Sequence, residues 1–385
     1  MIKTVRLCLL FLLLSSVFRP VSVSALENPL AVPNNKYGIH IIDENDLDNA
    51  AALVNSSGGD WGYVTMVIAQ NDRNPEKWQN IFNRMKGLHL IPIIRLATGL
   101  EGNVWKKPQV EEAVPWADFL NSLDWVINNR YVILFNEPNH AKEYGGTVEP
   151  KDYAEIVWRY SEELKKKSGQ FFVLPAGLDA SAPNSRETMD ETDFLKAVIS
   201  SKPEVFSNID GWSSHSYPNP GFAGRVAKVG RGSLKTYLWE RKILRELGFD
   251  KQLPVFITET GWVRRGDNAD IVADYFSEAA DSVWNDTDIV AVTPFILNYQ
   301  SLPFTDFSWQ KQNSFEFYPQ FDSYRSIPKT AGDPVRKKGI TQITPQAAVL
   351  SESVEKAGLG DKIVSFIKLG YNKVRNFLTV ALAQW

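Results

Sequence analysis

Short apolar segments alternate with longer stretches of mixed polarity along most of the chain. Eight of the apolar segments are rich in β-branched and aromatic residues, a composition that favours strands. Several are apolar at nearly every position, which is typical of parallel strands buried on both faces. The eight predicted strands are Tyr37–Ile42, Tyr63–Ile68, Leu90–Leu96, Tyr131–Phe135, Phe171–Pro175, Ile209–Ser214, Pro254–Thr258 and Ile289–Leu297.

Amphipathic stretches of helical length separate several of these strands. The predicted helices are Pro75–Lys86, Val110–Asn128, Pro150–Lys167, Ser233–Leu247 and Asp270–Trp284. Alternating strands and helices predict an α/β fold, and eight β/α units in about 300 residues favour a (β/α)8 TIM barrel. An open doubly wound sheet is the alternative, but no glycine-rich phosphate loop follows the first strand. We therefore predict one barrel domain at residues 26–330.

The amino terminus has the pattern of an export signal. Lys3 and Arg6 precede an apolar run, Leu7–Phe18, and the small residues Val23–Ala25 offer a cleavage site. An uncleaved anchor is the alternative interpretation. We expect a secreted or extracytoplasmic protein. Cys8 is the only cysteine, so removal of residues 1–25 would leave a protein without any cysteine. Disulfides, cysteine-ligated metals and a cysteine nucleophile are then excluded.

Charge is unevenly distributed along the chain. The net charge is −3, and it becomes −6 without residues 1–25, which disfavours nucleic acid as a partner. Residues 336–385 carry +5, whereas residues 26–335 carry −11. We predict that the basic tail, residues 331–385, contains an amphipathic helix that packs on the acidic barrel. Peripheral contact with an anionic membrane, which would associate the protein with the cell surface, is the alternative. The apolar positions of this predicted helix are Ile363, Ile367, Val374, Leu378 and Trp385.

Polar residues follow four of the predicted strands. In a (β/α)8 barrel, functional side chains lie at the carboxyl ends of the strands. The residues found there are Arg95 after the third strand, Asn136 and Glu137 after the fourth, His215 and Tyr217 at the sixth, and Glu259 and Trp262 at the seventh. Since the fourth and seventh strands lie across the barrel from each other, we expect the two glutamates to face one another.

A facing pair of carboxyl groups suits the cleavage of a glycosidic bond. One group must protonate the leaving oxygen, while the other attacks the anomeric carbon or activates water. Two nearby carboxyls cannot both ionise easily, so one stays neutral as the acid while its partner is anionic. The alternative is that Glu137 and Glu259 only brace the barrel. No Gly-x-Ser-x-Gly motif of a serine hydrolase is present.

Three segments resemble the motifs of clan A glycoside hydrolases. Leu134–Asn139 contains the Asn-Glu-Pro signature, Phe256–Trp262 is similar to the nucleophile segment, and Trp212–Tyr217 resembles the His-x-Tyr element. The resemblance covers residues 36–328. It implies a (β/α)8 barrel that cleaves carbohydrate by double displacement.

The resemblance also implies a role for individual residues. Glu137 would be the acid/base and Glu259 the nucleophile. Asn136 would contact the sugar 2-hydroxyl, Tyr217 would hydrogen-bond the nucleophile, and His215 would line the pocket. The expected separation of the two carboxyl groups is about 5–5.5 Å, as in retaining enzymes.

The chain departs from the clan pattern in two places. Clan members usually place a pocket arginine at the second strand, whereas Arg95 follows the third. They often end the eighth strand with tryptophan, which is absent here. We expect Trp262 to stack on a sugar, with core packing as the alternative. The remaining candidates for a stacking surface are Phe295, Tyr299 and Trp309.

No metal or cofactor is expected, because the four histidines lack ligand spacing. His40 and His140 also lie near the ends of predicted strands, but no role is assigned to them. We predict a retaining glycoside hydrolase that acts on a β-linked cell-wall polysaccharide or oligosaccharide. A transglycosylase with the same site and a non-catalytic carbohydrate-binding barrel are the alternatives.

Overall fold

A computed structural model describes residues 26–336. The predicted export signal and the predicted helix of the basic tail lie outside these residues. Among the residues described, the structure has no helix of the length and apolarity that a membrane crossing requires.

Eight parallel strands form the centre of the fold, and all eight were predicted. They pair as a five-stranded sheet, β1 to β5 in order, and a three-stranded sheet, β6 to β8 in order. The fold is therefore a mixed α/β fold with parallel sheets. The strands are β1 Gly38–His40, β2 Gly62–Ala69, β3 Leu90–Ala97, β4 Arg130–Leu134, β5 Phe171–Pro175, β6 Trp212–His215, β7 Val255–Glu259 and β8 Ile289–Val292.

Hydrogen bonds connect the two sheets at both of their edges. Next to β1 and β8, Tyr37 and Val292 form a parallel bridge. Beyond it, the N–H of His40 donates to the carbonyl of Pro294 at 3.0 Å. Between β5 and β6, the N–H of Asp210 donates to the carbonyl of Val173 at 2.9 Å. The eight strands thus follow one another in chain order, as consecutive β/α units do.

Helices cover the strands. They are α1 Leu47–Val54, α2 Pro75–Gly87, α3 Ala113–Ser122, α4 Pro150–Lys167, α5 Glu191–Ser201, α6 Thr236–Glu246, α7 Ala269–Ser282 and α8 Pro319–Ser326. The predicted bounds of α4 are confirmed, since a proline opens this helix and three lysines fill its last turn. The sequence analysis missed α1, α5 and α8, which are only 8 to 11 residues long.

Several predicted elements are shorter in the structure, and two of them differ most from their predicted length. The helix expected at Val110–Asn128 stops at Ser122, and Leu123 is extended. Apolar residues after this point are buried without helical structure, so their pattern was mistaken for a continued helix. The strand expected at Ile289–Leu297 ends at Val292, because Pro294 has no N–H to donate to a neighbouring strand.

Two carboxyl groups are buried together between α5, α6 and β6. Glu191 and Glu240 are both 0% exposed, and the indole N–H of Trp212 donates to Glu240 at 3.0 Å. Burial raises the pKa of Glu240 to about 7. Burial and the neighbouring carboxyl of Glu240 raise the pKa of Glu191 as well. At least one proton therefore stays in this pair under mildly acidic conditions.

Because of this buried carboxyl pair, we expect the protein to lose stability as the pH rises. A carboxyl whose pKa is higher in the folded than in the unfolded state stabilises the folded protein. This stabilisation is fully present below the unfolded pKa, and it is lost as the pH rises through the folded pKa. We expect the free energy of unfolding to fall by on the order of 2 kcal/mol between about pH 5 and pH 9. Denaturant unfolding across this range should show a shallower fall for Glu240→Gln. The exposed Glu246 on the same helix provides the control Glu246→Gln, which should keep the wild-type slope. Equal slopes in all three proteins would contradict the prediction.

Both ends of the described chain pack under the amino ends of the strands. Ala331 bridges to Asp60, which precedes β2. The carbonyl of Val335 accepts from the N–H of Asn128, which precedes β4, at 2.8 Å. These contacts continue past the domain boundary predicted at residue 330, so the first residues of the predicted tail belong to the packed domain.

Candidate active site

Six of the seven predicted site residues meet at the carboxyl ends of the strands. Glu259 is the last residue of β7, His215 is the last of β6, and Arg95 lies two residues before the end of β3. Asn136 and Glu137 lie two and three residues after the end of β4. Tyr217 completes the group through its contact with Glu259. The seventh residue, Trp262, lies elsewhere.

The two glutamates lie close together around His215. Nδ1 of His215 is 2.7 Å from a carboxylate oxygen of Glu137 and 3.8 Å from one of Glu259. One side-chain atom from each of the three residues lies within 4.8 Å of the others. Single atoms of the two carboxyl groups therefore come within 4.8 Å of each other, which is compatible with the short separation of about 5–5.5 Å between the carboxyl groups of a nucleophilic pair.

Glu259 is held as an anion by its neighbours. Nη1 of Arg95 donates to one of its oxygens at 3.0 Å, and the hydroxyl of Tyr217 donates to the other at 3.1 Å. Burial alone would raise the pKa of Glu259, but the positive charges of His215 and Arg95 outweigh it and lower the pKa. An ionised carboxylate with both oxygens oriented is suited to nucleophilic attack.

The position of His215 between the two carboxylates favours its protonated form. Burial would lower its pKa, but the charge of Glu259 and the hydrogen bond to Glu137 raise it. The ring also needs the empty space beside Gly177, where an added Cβ would lie 2.2 Å from the imidazole Cδ2. Gly177 was not predicted as a site residue, although it stands just after β5.

The backbone after β4 has an unusual conformation. Phe135 and Glu137 have positive φ angles of 72° and 32°, which are uncommon for residues other than glycine. The N–H of Glu137 donates to the carbonyl of Gly177 at 3.1 Å and holds this turn. Such strained residues occur at functional sites when the surrounding structure fixes them. The turn places the carboxylate of Glu137 against His215.

Sequence reasoning missed other ionisable groups here. His40 is buried, and burial with the charge of Arg95 lowers its pKa to about 3, so it is a neutral ring. His140 bonds Asp179 at 2.9 Å, and although burial opposes it, this bond raises the pKa of His140. The carboxyl of Glu143 accepts from the side-chain amide of Asn136 at 3.1 Å. The position of His40 and His140 beside strand ends was the available signal.

Four half-buried phenylalanines form an aromatic cluster beside Tyr217. The ring of Tyr217 lies 4.9 Å from that of Phe222, and Phe222 lies 5.1 Å from Phe307. The series continues from Phe307 to Phe295 at 6.0 Å. Partly exposed aromatic rings beside a polar cleft are suited to stacking on the apolar faces of sugars. The cluster comprises Phe222, Phe295, Phe304 and Phe307.

The expectation that Trp262 stacks on a sugar is wrong. This side chain is only 3% exposed, and its N–H donates to the carbonyl of Gly224 at 2.8 Å. Its ring lies 5.1 Å from Phe276 on α7. Gly261, with a φ of 136°, lies between Glu259 and Trp262, where the chain turns and the indole enters the core. Of the other candidates, Trp309 and Tyr299 are buried too, whereas Phe295 belongs to the aromatic cluster.

This burial predicts that Trp262→Ala destabilises the protein strongly. Removing a buried indole costs about 3–5 kcal/mol, through lost contacts and the cavity left behind. Denaturant unfolding should therefore show a much lower free energy of unfolding, and Trp262→Phe should recover part of the loss. Activity per folded molecule should change little at low temperature. A normal stability with weakened substrate binding would instead restore the stacking interpretation.

Glu137, His215 and Glu259 could in principle hold a metal ion, given the spacing of their oxygen and nitrogen atoms. However, the same atoms contact one another, and the raised pKa of His215 favours its protonated form, which cannot bind a metal through Nδ1. We therefore interpret the group as an acid–base site. That no metal is used stays a prediction.

Solved structures of similar fold are glycoside hydrolases. A family 39 glycoside hydrolase from Bacteroides cellulosilyticus WH2 is 17% identical, with a TM-score of 0.55 over 80% of this chain. The match spans 66% of that protein's length. GH5_18 from Streptomyces cattleya, solved with GlcNAc, is 13% identical, with a TM-score of 0.52 over 76% of this chain and 79% of its own.

A variant of that GH5_18 protein, in complex with Manβ1-4GlcNAc, has a TM-score of 0.55 at 14% identity over 77% of this chain and 80% of its own. No protein-family model and no curated sequence matches this chain. At these identities the likeness establishes the fold alone. The predicted resemblance to clan A glycoside hydrolases is confirmed at that level.

Proposed function

We propose that this protein is a retaining glycoside hydrolase with a closed (β/α)8 barrel, cleaving a β-linked cell-wall polysaccharide or oligosaccharide. The main observation in support is the geometry of Glu137 and Glu259, which lie within 4.8 Å through their nearest described atoms and share His215. Hydrogen bonds at both junctions of the two sheets support the closed barrel. The proposal includes secretion, as the amino-terminal sequence suggests.

The proposed reaction has two steps. Glu259 attacks the anomeric carbon while Glu137 donates its proton to the leaving oxygen, so a glycosyl ester of Glu259 forms and the alcohol departs. In the second step Glu137 takes a proton from water, and the resulting hydroxide releases the sugar with the original configuration. Arg95 and Tyr217 each donate to one oxygen of Glu259 and so orient its carboxylate for the attack. No cofactor is required.

The site also indicates how a sugar would bind. Asn136 adjoins the acid and is positioned to contact the 2-hydroxyl next to the reacting carbon. The aromatic cluster provides apolar surface on the Tyr217 side of the cleft. This combination of a few oriented polar groups with aromatic surface suits a carbohydrate. Hydrolysis and transglycosylation would share these contacts and differ only in the acceptor.

Trapping the glycosyl ester tests the proposal. A 2-fluorine substituent slows both steps, while a good leaving group keeps the first step accessible, so the ester accumulates. We would incubate the protein with 2,4-dinitrophenyl 2-deoxy-2-fluoro-β-glycosides of glucose, mannose and xylose. Mass spectrometry should find the added sugar on the peptide that contains Glu259. Cleavage of a β-glycoside with inverted product, or a label on another residue, would contradict the proposed mechanism. A protein that binds polysaccharide but cleaves no substrate would be the non-catalytic alternative.

A further inference from the structure

A third carboxyl group lies beside the proposed catalytic pair. Glu143 ends a short 3-10 helix, Ala141–Glu143, that follows the β4 motif. Its N–H donates to the carbonyl of His140 at 3.1 Å, so the chain turns back toward the cleft. The next residue, Tyr144, is buried and donates to Asp152 on α4 at 2.8 Å. The position of Glu143 is therefore fixed by the fold.

Glu143 determines the orientation of the Asn136 amide. Nδ2 of Asn136 donates to Oε2 of Glu143 at 3.1 Å. On the other side, Oδ1 of Asn136 accepts from Nη1 of Arg95, which also donates to Glu259. The guanidinium of Arg95 can only donate, so it must face the amide oxygen of Asn136. The carboxyl oxygen of Glu143 accepts, so it must face the amide nitrogen. Without Glu143, only one of these two constraints remains.

We propose that Glu143 is a positioning residue, which holds the Asn136 amide so that its second N–H points to a hydroxyl of the bound sugar. An amide nitrogen carries two hydrogens, and Glu143 occupies only one of them. The sugar hydroxyl adjacent to the reacting carbon is the group within reach of Asn136 if the proposed function is correct, and the inference rests on that function.

The acceptor role of Glu143 does not depend on its charge. Burial, reinforced by the negative charge of Glu137, raises the pKa of Glu143 to about 7. Arg95 from β3 opposes this effect, Glu259 from β7 adds to it, and His140 also faces the carboxyl. Below neutral pH Glu143 is largely protonated, yet its carbonyl oxygen can still accept from the amide. A glutamine at this position can therefore replace it.

Kinetics with paired substrates tests this role. The substrates are the 2,4-dinitrophenyl β-glycoside that the wild type cleaves best among glucoside, mannoside and xyloside, and its 2-deoxy counterpart. We expect Glu143→Ala to lower kcat/KM about 30-fold on the parent glycoside but less than about 3-fold on the 2-deoxy substrate, because the lost interaction involves the 2-hydroxyl. Glu143→Gln should stay within about 3-fold of the wild type on both substrates. Lys142→Ala, an exposed change on the same turn, is the matched control.

A coupling experiment adds a second readout. If Glu143 acts through Asn136, the double variant Asn136→Ala with Glu143→Ala should be no slower than Asn136→Ala alone. Equal losses on both substrates, additive losses in the double variant, or a Glu143→Gln variant as slow as Glu143→Ala would each overturn the positioning role. A wild type that cleaves no glycoside would instead overturn the proposed function, and this inference with it.

Discussion

Replacing Glu259 with glutamine should lower kcat by at least about 10⁴-fold while leaving the protein folded. The amide has nearly the shape of the carboxylate: its oxygen can still accept from Arg95, and its NH2 group can donate to the hydroxyl oxygen of Tyr217. It cannot form the glycosyl ester, because a neutral amide is a poor nucleophile. Steady-state kinetics on the best aryl β-glycoside would measure the loss, and thermal unfolding would show that the melting temperature stays within about 3 °C of the wild type.

A matched control separates this effect from a general effect of losing a carboxyl. Glu278 is exposed on α7, and Glu278→Gln should retain wild-type activity. The assignment of Glu259 fails if its glutamine variant keeps more than a few per cent of the activity. A large drop in melting temperature would show that its contacts with Arg95 and Tyr217 are mainly structural.

Glu137→Ala should show a loss that depends on the leaving group. On polysaccharide, where the leaving sugar needs a proton, we expect kcat/KM to fall by about 10²–10⁴-fold. On 2,4-dinitrophenyl glycosides the first step needs no acid, so the glycosyl ester forms and its hydrolysis becomes slow. Azide can enter the space left by the side chain and attack the ester without a general base. Product analysis should then find a glycosyl azide with the configuration of the substrate.

The control for this experiment is Glu187→Ala, an exposed change in the loop after β5. It should respond to azide like the wild type. A Glu137→Ala variant that cleaves polysaccharide at the wild-type rate shows that another group supplies the proton. Glycosyl azide of inverted configuration would argue against double displacement altogether.

The strands and the catalytic pair could be predicted because they depend on local pattern. β5, Phe171–Pro175, is apolar throughout, and its predicted bounds are those of the structure. Glu137 lies shortly after β4 and Glu259 is the last residue of β7, and the carboxyl ends of parallel strands meet on one face. Strand order along the chain was therefore enough to bring the two glutamates together.

The surroundings of the pair depend on backbone direction, which the pattern does not contain. Trp262 is three residues from the nucleophile, and only the turn at Gly261 shows that its ring faces α7. Glu143 reaches Asn136 through a 3-10 turn that has no periodic signal. Gly177 leaves room for the ring of His215 because it has no side chain, and this role can be recognised only once the position of that ring is known.

The packing of the two ends of the described chain determines how the protein can be attached to something else. Leu26 and Arg336 end segments that hydrogen-bond beneath the amino ends of the strands, through Asn129 and Asn128 respectively. The glutamate pair lies at the opposite, carboxyl ends. A support, fusion partner or surface joined at residue 26 or 336 would therefore lie at the amino ends of the strands, with the glutamate pair directed outward. An immobilised form joined at either residue should leave the cleft accessible even to an insoluble polysaccharide.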